Sequence, residues 1–203
     1  MTTRRLIAHV TLALGFAAAG SAFAADKELH VRGEITAVSD TSIVIKARNG
    51  ATTTVQLPEK FNVLDVSKTD LAAVAENSYI GVAAAPAAAG KVRALGVMVF
   101  PEGARGLNEG HFPWDLKQRS TMTNATVAKL LKKGNGAEVE VRWGDKTQTV
   151  VIDRSTVFGQ FIPGQRSLLA TGAKVLVFAA GPEGAAPVAR AVMVGRDGFL
   201  PPI

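Results

Sequence analysis

The sequence repeats itself at a nearly fixed spacing, and this constrains the fold more than any composition could, because a duplicated segment must fold twice. Thr52-Thr53-Thr54-Val55-Gln56-Leu57 recurs 95 positions on as Thr147-Gln148-Thr149-Val150-Val151-Ile152. Ala94-Leu95-Gly96-Val97-Met98-Val99 recurs at the same spacing as Ala189-Arg190-Ala191-Val192-Met193-Val194. Ser78-Tyr79-Ile80-Gly81-Val82 falls on Ala173-Lys174-Val175-Leu176-Val177, with Asn77 on Gly172, the two residue types that most readily take a left-handed turn. The earlier strand pair needs a spacing of 96, which places Val31 on Val127, Ile43 on Val139 and Ile45 on Val141. One extra residue is therefore expected at the Lys132–Gly136 turn, since turns tolerate insertions that strands do not.

Within each copy the apolar residues alternate: Ile43 and Ile45, Val55 and Leu57, Ile80 and Val82, Val97 and Val99, and their counterparts in the second copy. Period two means strands with one buried face. Asn49-Gly50 and Gly144-Asp145 suit hairpin turns, and short Gly/Pro-rich stretches such as Pro86–Gly90 and Gly181–Pro187 connect the rest. Five or six short strands per copy would leave edges open in a flat sheet, and closure into a small barrel removes them. The expected fold is all-β: two tandem small OB-like β-barrels joined by an ordered connector, with a single two-sheet sandwich as the alternative. The expected boundaries are barrel repeats at 27–103 and 124–198, a connector at 104–123 and a tail at 199–203. Lys68–Glu76 and Gln165–Thr171 are each expected to form one helical turn over a barrel end.

Ahead of the repeats, Arg4 and Arg5 precede an apolar run from Leu6 to Gly20, and Ala22-Phe23-Ala24 is a small-x-small cleavage signal. This pattern predicts an export signal over 1–24, cleaved after Ala24, and a periplasmic destination. The run is broken by His9, Thr11 and Gly15 and is shorter than the roughly 20 apolar residues that a spanning helix needs. No later stretch qualifies as a span, because the most apolar ones carry Glu76, Asn77 and Pro86, or Lys174, Pro182 and Glu183. Without 1–24 the chain keeps 21 Lys and Arg against 17 Asp and Glu, and its basic runs lack interleaved aromatics, which argues against a nucleic-acid partner. The chain has no cysteine, which excludes disulfides, thiol nucleophiles and Cys-ligated zinc or iron–sulfur centres.

Gly33, Ile35 and Val38 in a Gly-x-Ile-x-x-Val pattern, followed by Ile-x-Ile, Asn-Gly, Val-x-Leu and a closing Ala-x-x-Val-x-Val strand, resemble a widespread family of exported bacterial β-barrel domains. The segment Gly106–Val127 is similar to the connector of one branch of that family, Gly-x-Gly-Glu-Gly-x-x-Pro-Trp-Asp then Ser-x-Met-Thr-Asn-Ala-x-Val. Here Gly106, Glu109, Gly110, Pro113, Trp114 and Asp115 match, then Ser120, Met122, Thr123, Asn124, Ala125 and Val127, with Asn108 in place of the usual Gly. Members of that branch are often labelled metal ABC transporter permeases. A permease must cross the bilayer, and these barrels offer no such segment, so the resemblance implies at most an accessory role related to metal.

The connector has no counterpart in the repeat, and so needs another explanation. Glu109, His111 and Asp115 could offer an imidazole and two carboxylates to Zn²⁺, Mn²⁺ or Cu²⁺, although their spacing fits no established metal signature. The competing reading makes Phe112, Pro113, Trp114, Met122 and Asn124 a contact between barrels or with a partner. In that reading Asp115 or His111 satisfies buried amides and the indole N–H, and Thr123 and Asn124 close a turn before a strand over Thr126–Leu131. His30 reads as a strand-edge surface residue. No catalytic template occurs: there is no Gly-x-Ser-x-Gly, His-Glu-x-x-His or phosphate-binding loop, and the carboxylates are scattered. The function expected from all this is a non-catalytic periplasmic binding or adaptor protein without a cofactor, docking another envelope protein or an extended ligand. The alternatives are a metal-binding accessory protein centred on His111 and a hydrolase of envelope carbohydrate or peptide.

Overall fold

Turn residues and alternation together set the strands. The computed structural model describes residues 26–203, so the expected signal peptide lies outside the described residues. The first repeat forms β1 (Lys27–Val38), β2 (Ser42–Lys46), β3 (Thr52–Gln56), β4 (Asn62–Thr69), β5 (Tyr79–Pro86) and β6 (Val92–Val99). A short strand β7 (Gly110–Pro113) lies in the connector. The second repeat forms β8 (Thr121–Lys133), β9 (Gly136–Trp143), β10 (Lys146–Ile152), β11 (Val157–Pro163), β12 (Lys174–Gly181) and β13 (Val188–Gly195). The expected helical turns are single 3₁₀ turns, Leu71–Ala73 and Arg166–Leu168, and they carry Val74 and Leu169 into two different cores.

The spacing between first strands differs from the sequence expectation. Ile35 lies opposite Ile45, and Val127 lies opposite Val141, so Ile35 corresponds to Val127 and Val31 to Thr123. The second hairpin is thus longer by four residues, two in each arm, and ends in a tight turn in which Lys133 faces Gly136. An even insertion keeps every side chain on its own face, whereas a single added residue would turn the strand inside out.

The all-β class and barrel closure hold, but the repeats exchange strands. One ring runs β1-β2-β3-β13-β12 and returns to β1; the other runs β8-β9-β10-β6-β5 and returns to β8. We call these the first and second barrels. Each takes three strands from one repeat and a hairpin from the other, so neither 27–103 nor 124–198 closes a barrel alone. β4 and β11 pair antiparallel and run parallel to β13 and β6 respectively, which stitches the rings into one sheet of 13 strands. Sequence pattern cannot distinguish exchanged from tandem closure, because β5 and β12 carry the same alternation and either could complete either ring.

Three cores result. The first barrel buries Ile35, Ile43, Ile45 and Val55 with Val175, Val177, Val192 and Val194. The second buries Ile80, Val82 and Val97 with Val127, Val139, Val141 and Val150. A third core lies between them, where Val66, Met98, Met122, Phe161, Leu176 and Met193 meet. The tail closes this central core: Ile203 is buried, and Gly96 admits the chain because a Cβ there would stand 1.9 Å from the Pro202 carbonyl oxygen. No helix among the described residues is long and apolar enough to cross a membrane.

Candidate functional site

The connector leaves β6 through a 3₁₀ turn, Glu102–Ala104. Arg105 fixes its exit, donating from Nη2 to Glu102 Oε2 at 2.7 Å and to the Asn77 carbonyl at 2.8 Å. The same pairing lowers the Glu102 pKa. The chain then lies along the outside of the second barrel. Tyr79 donates its hydroxyl to the Leu107 carbonyl at 3.1 Å, and buried Asn124 donates to the Asn108 carbonyl at 3.1 Å. Burial, reinforced by the charge of Glu109, pushes the Tyr79 hydroxyl up to about 12, so it stays protonated and able to donate. Glu109 accepts the Gly144 N–H at 3.0 Å, at the tip of the β9–β10 hairpin.

β7 then adds to the edge of β8, with Gly110 opposite Asn124 and Pro113 opposite Thr121. Thr123 and Asn124 therefore lie inside a strand and not in the turn expected before Thr126. Their side chains reach sideways to hold the connector. His111 Nδ1 lies 2.8 Å from Thr123 Oγ1, and its ring stacks on Trp143 at 5.4 Å between centroids. Burial, with Lys146 nearby, holds the His111 imidazole below its ordinary pKa. Phe112 and Met122 pack in the central core, while Pro113 is exposed.

Beyond Pro113 the strand ends and the chain crosses to the first barrel. The crossing is fixed by buried Ser120: its carbonyl accepts the Trp114 N–H at 2.8 Å, and its hydroxyl donates to the Lys117 carbonyl at 2.7 Å. The Trp114 ring lands on β1 and β12, 4.1 Å from the His30 ring and 6.2 Å from Phe178, with the Arg32 guanidinium 5.6 Å from its centroid. Asp115 takes both terminal nitrogens of Arg32, at 2.7 and 3.1 Å, and stands 3.2 Å from His30 Nδ1. Arg32 Nε donates to the Ile203 main-chain oxygen at 2.9 Å, which joins connector, β1 and tail in one latch. Burial alone would raise the Asp115 carboxyl, but the Arg32 hydrogen bond and charge, with His30, outweigh it and hold the carboxyl below its ordinary range. Burial lowers the His30 imidazole; Asp115 opposes this and Arg32 adds to it, and the net shift is downward.

Three expectations change here. His30 is not a surface residue, because the connector closes over it and leaves its side chain 17% exposed. The Trp114 indole N–H is buried with no partner among the described residues; Asp115 is committed to Arg32 and His111 to Thr123. The proposed ligands Glu109, His111 and Asp115 diverge toward Gly144, Thr123 and Arg32, and no group of three His, Asp or Glu side chains gathers among the described residues. Sequence reasoning missed His30 and Arg32. Their alternation with Val31 and Gly33 marks them as outward-facing, but no sequence signal shows that Trp114 covers them.

Comparison with known proteins adds no relative: no family model matches the chain, and neither a curated protein nor a solved structure matches it.

Proposed function

We propose that this chain is a non-catalytic periplasmic binding or adaptor protein, delivered by the signal at 1–24, in which two OB-like barrels present a fixed outer face. The observation that carries the reading is the latch, in which Asp115 and Trp114 of the connector grip Arg32 and His30 of the first barrel. A connector that only linked two units would have no need of a bidentate ion pair and an indole packed against His30 and Phe178. Rigid relative orientation is what a two-barrel docking face requires. Each ring closes with five strands, which supports reading it as OB-like, a scaffold that binds along a sheet face and its flanking loops. The carboxylates with lowered pKa values are engaged in pairs or turns: Asp115 with Arg32, Glu34 with Lys174, Glu102 with Arg105, Glu138 with Lys91, Asp153 with Ser155. Such engagement supports a structural use of these groups over an acid–base one. The metal-binding alternative gains no support from the diverging donors.

The test is made in cells. Photo-crosslinking side chains placed at exposed Leu107 and Thr36, with a distant control at exposed Lys68, should give one discrete adduct from the first two positions and none from the third. Cell fractionation should recover a chain beginning at Ala25 in the periplasm. A precursor retained in the cytosol, or no adduct from either position, would overturn the reading.

A further inference from the structure

The two barrels are internal copies, so a site filled on one and open on the other is informative. On the second barrel, Leu107–Glu109 lie as an exposed segment along a surface held by the Tyr79 hydroxyl and the Gly144 N–H, with the next residue but one, His111, stacked on Trp143; Glu109 brings its carboxylate to the β9–β10 turn. Register places the counterparts on the first barrel. Tyr79 faces Thr126 as Lys174 faces Glu34, which equates Tyr79 with Lys174; Ile45 and Val141 face Ile35 and Val127, which equates Trp143 with Ala47 and Gly144 with Arg48. The tail borders the corresponding surface at Gly198 and Leu200, but among the described residues no segment fills it. This surface is a depression of about 540 Å³ whose lining includes Glu34, Thr36, Lys46, Arg48, Lys174 and Leu200.

Its charge differs from that of the covered surface on the second barrel in a directed way. Lys174, Glu34 and Lys46 are cross-strand neighbours on β12, β1 and β2, and Glu34 is paired with Lys174. Lys46 and Arg48 are exposed and form no ion pair among the described residues. The wall therefore holds three cations, Lys46, Arg48 and Lys174, against one carboxylate, an excess of two positive charges. At the same turn the second barrel offers a single main-chain N–H to Glu109.

We infer that the groove on the first barrel binds an extended acidic peptide segment of a partner protein, seated as Leu107–Glu109 are seated on the second barrel, with a carboxylate directed at Lys46 and Arg48. This rests on the binding role proposed above and names its ligand class. The backbone geometry for such a guest exists in the same molecule, and opposite charge supplies orientation.

The probe is a fluorescent synthetic peptide of sequence Leu-Asn-Glu-Gly-His-Phe-Pro, that of residues 107–113, titrated by anisotropy against the purified mature chain. Saturable binding that weakens with salt is expected. Lys46→Glu with Arg48→Glu should weaken it about tenfold or more, and a peptide with Gln in place of its Glu should weaken it similarly. The milder pair Lys46→Gln with Arg48→Gln, with an unchanged thermal midpoint, guards against a folding defect. No saturation up to about 1 mM peptide, or equal binding by the charge-reversed variant, would overturn the inference. Binding in this purified system without any cellular adduct would sink the adaptor reading and leave the groove standing. An adduct without peptide binding would sink the groove alone.

Discussion

Strand exchange can be tested by a covalent cross-link, because the chain has no cysteine to compete with an introduced pair. In β1 the main-chain groups of Ile35 bond to Ala173 and Gly172, so odd-numbered β1 residues turn their amides toward β12 and even-numbered ones face away. Glu28, opposite Ala180, is therefore in a non-hydrogen-bonded pair. Such pairs bring Cα atoms to about 4.5 Å, inside the range a disulfide spans. Glu28→Cys with Ala180→Cys would close a loop of 152 residues, worth about 5 kcal/mol in the chain-entropy limit. Residual structure in the unfolded chain and the loss of the exposed Glu28–Arg190 pair reduce this, so a gain of about 2–4 kcal/mol is expected. Non-reducing electrophoresis, peptide mapping of the linked cysteines and urea unfolding with and without reductant read the result. The control is Glu28→Cys with Ala85→Cys, since Ala85 stands 95 residues before Ala180 and would face β1 if each repeat closed its own barrel. Oxidation of the 28–85 pair with no oxidation of the 28–180 pair would refute the exchanged topology.

Trp114→Ala should cost about 3 kcal/mol in urea unfolding, whereas Trp114→Phe should be nearly neutral, because it keeps part of the apolar contact and removes an indole N–H that is buried without a partner. Gly96→Ala should destabilise by about 2 kcal/mol or more, as its methyl must displace the tail at Pro202; a thermal midpoint within a degree of wild type would contradict that packing. The His30 pKa is lowered on folding, so below its ordinary value of 6.5 the unfolded chain binds more protons than the folded one and stability is lost as the pH is lowered. Asp115, also lowered, extends the loss to more acid pH as its carboxyl is protonated. Melting curves from pH 7.5 down to 5.5 should show a smaller drop for His30→Gln than for wild type, and equal drops would show that His30 does not contribute. Tyr79→Phe should cost about 1 kcal/mol by removing the hydrogen bond to Leu107, measured as a shift in the urea midpoint.

Much of this architecture is legible in residue order. Alternation around Ile43, Val55, Ile80 and Val97 identifies the strands, and the turn residues Asn49-Gly50 and Gly144-Asp145 place the hairpins where they occur. Two features stay hidden for definite reasons. Spacings of 92 and 96 differ by an even number, so Val31 and Ile35 fit Val127 equally well by phase, and only the bonded register separates them. The exchange of β5–β6 for β12–β13 is hidden because duplicated hairpins are interchangeable in pattern. At the connector, composition marks Trp114 and Asp115 as unusual, yet their partners Arg32 and His30 lie some 80 residues away in sequence. Long-range side-chain pairing of that kind leaves no local periodic trace.

The exchanged hairpins also dictate an order of events as the chain grows from its N-terminus. β1, β2 and β3 emerge first, but the strands that complete their ring, β12 and β13, come last, more than a hundred residues later. The second barrel closes sooner, once β10 reaches the waiting β6. The three opening strands therefore spend most of synthesis with an unclosed apolar face and free edges, the condition under which chains associate with one another instead of with themselves. Lys27, Glu28, Arg32 and Glu34 along β1 put charge on that strand while it waits. Pairings of such sequence separation also make for slow closure. Mass yield on refolding should fall with protein concentration more steeply than for a chain whose repeats close independently.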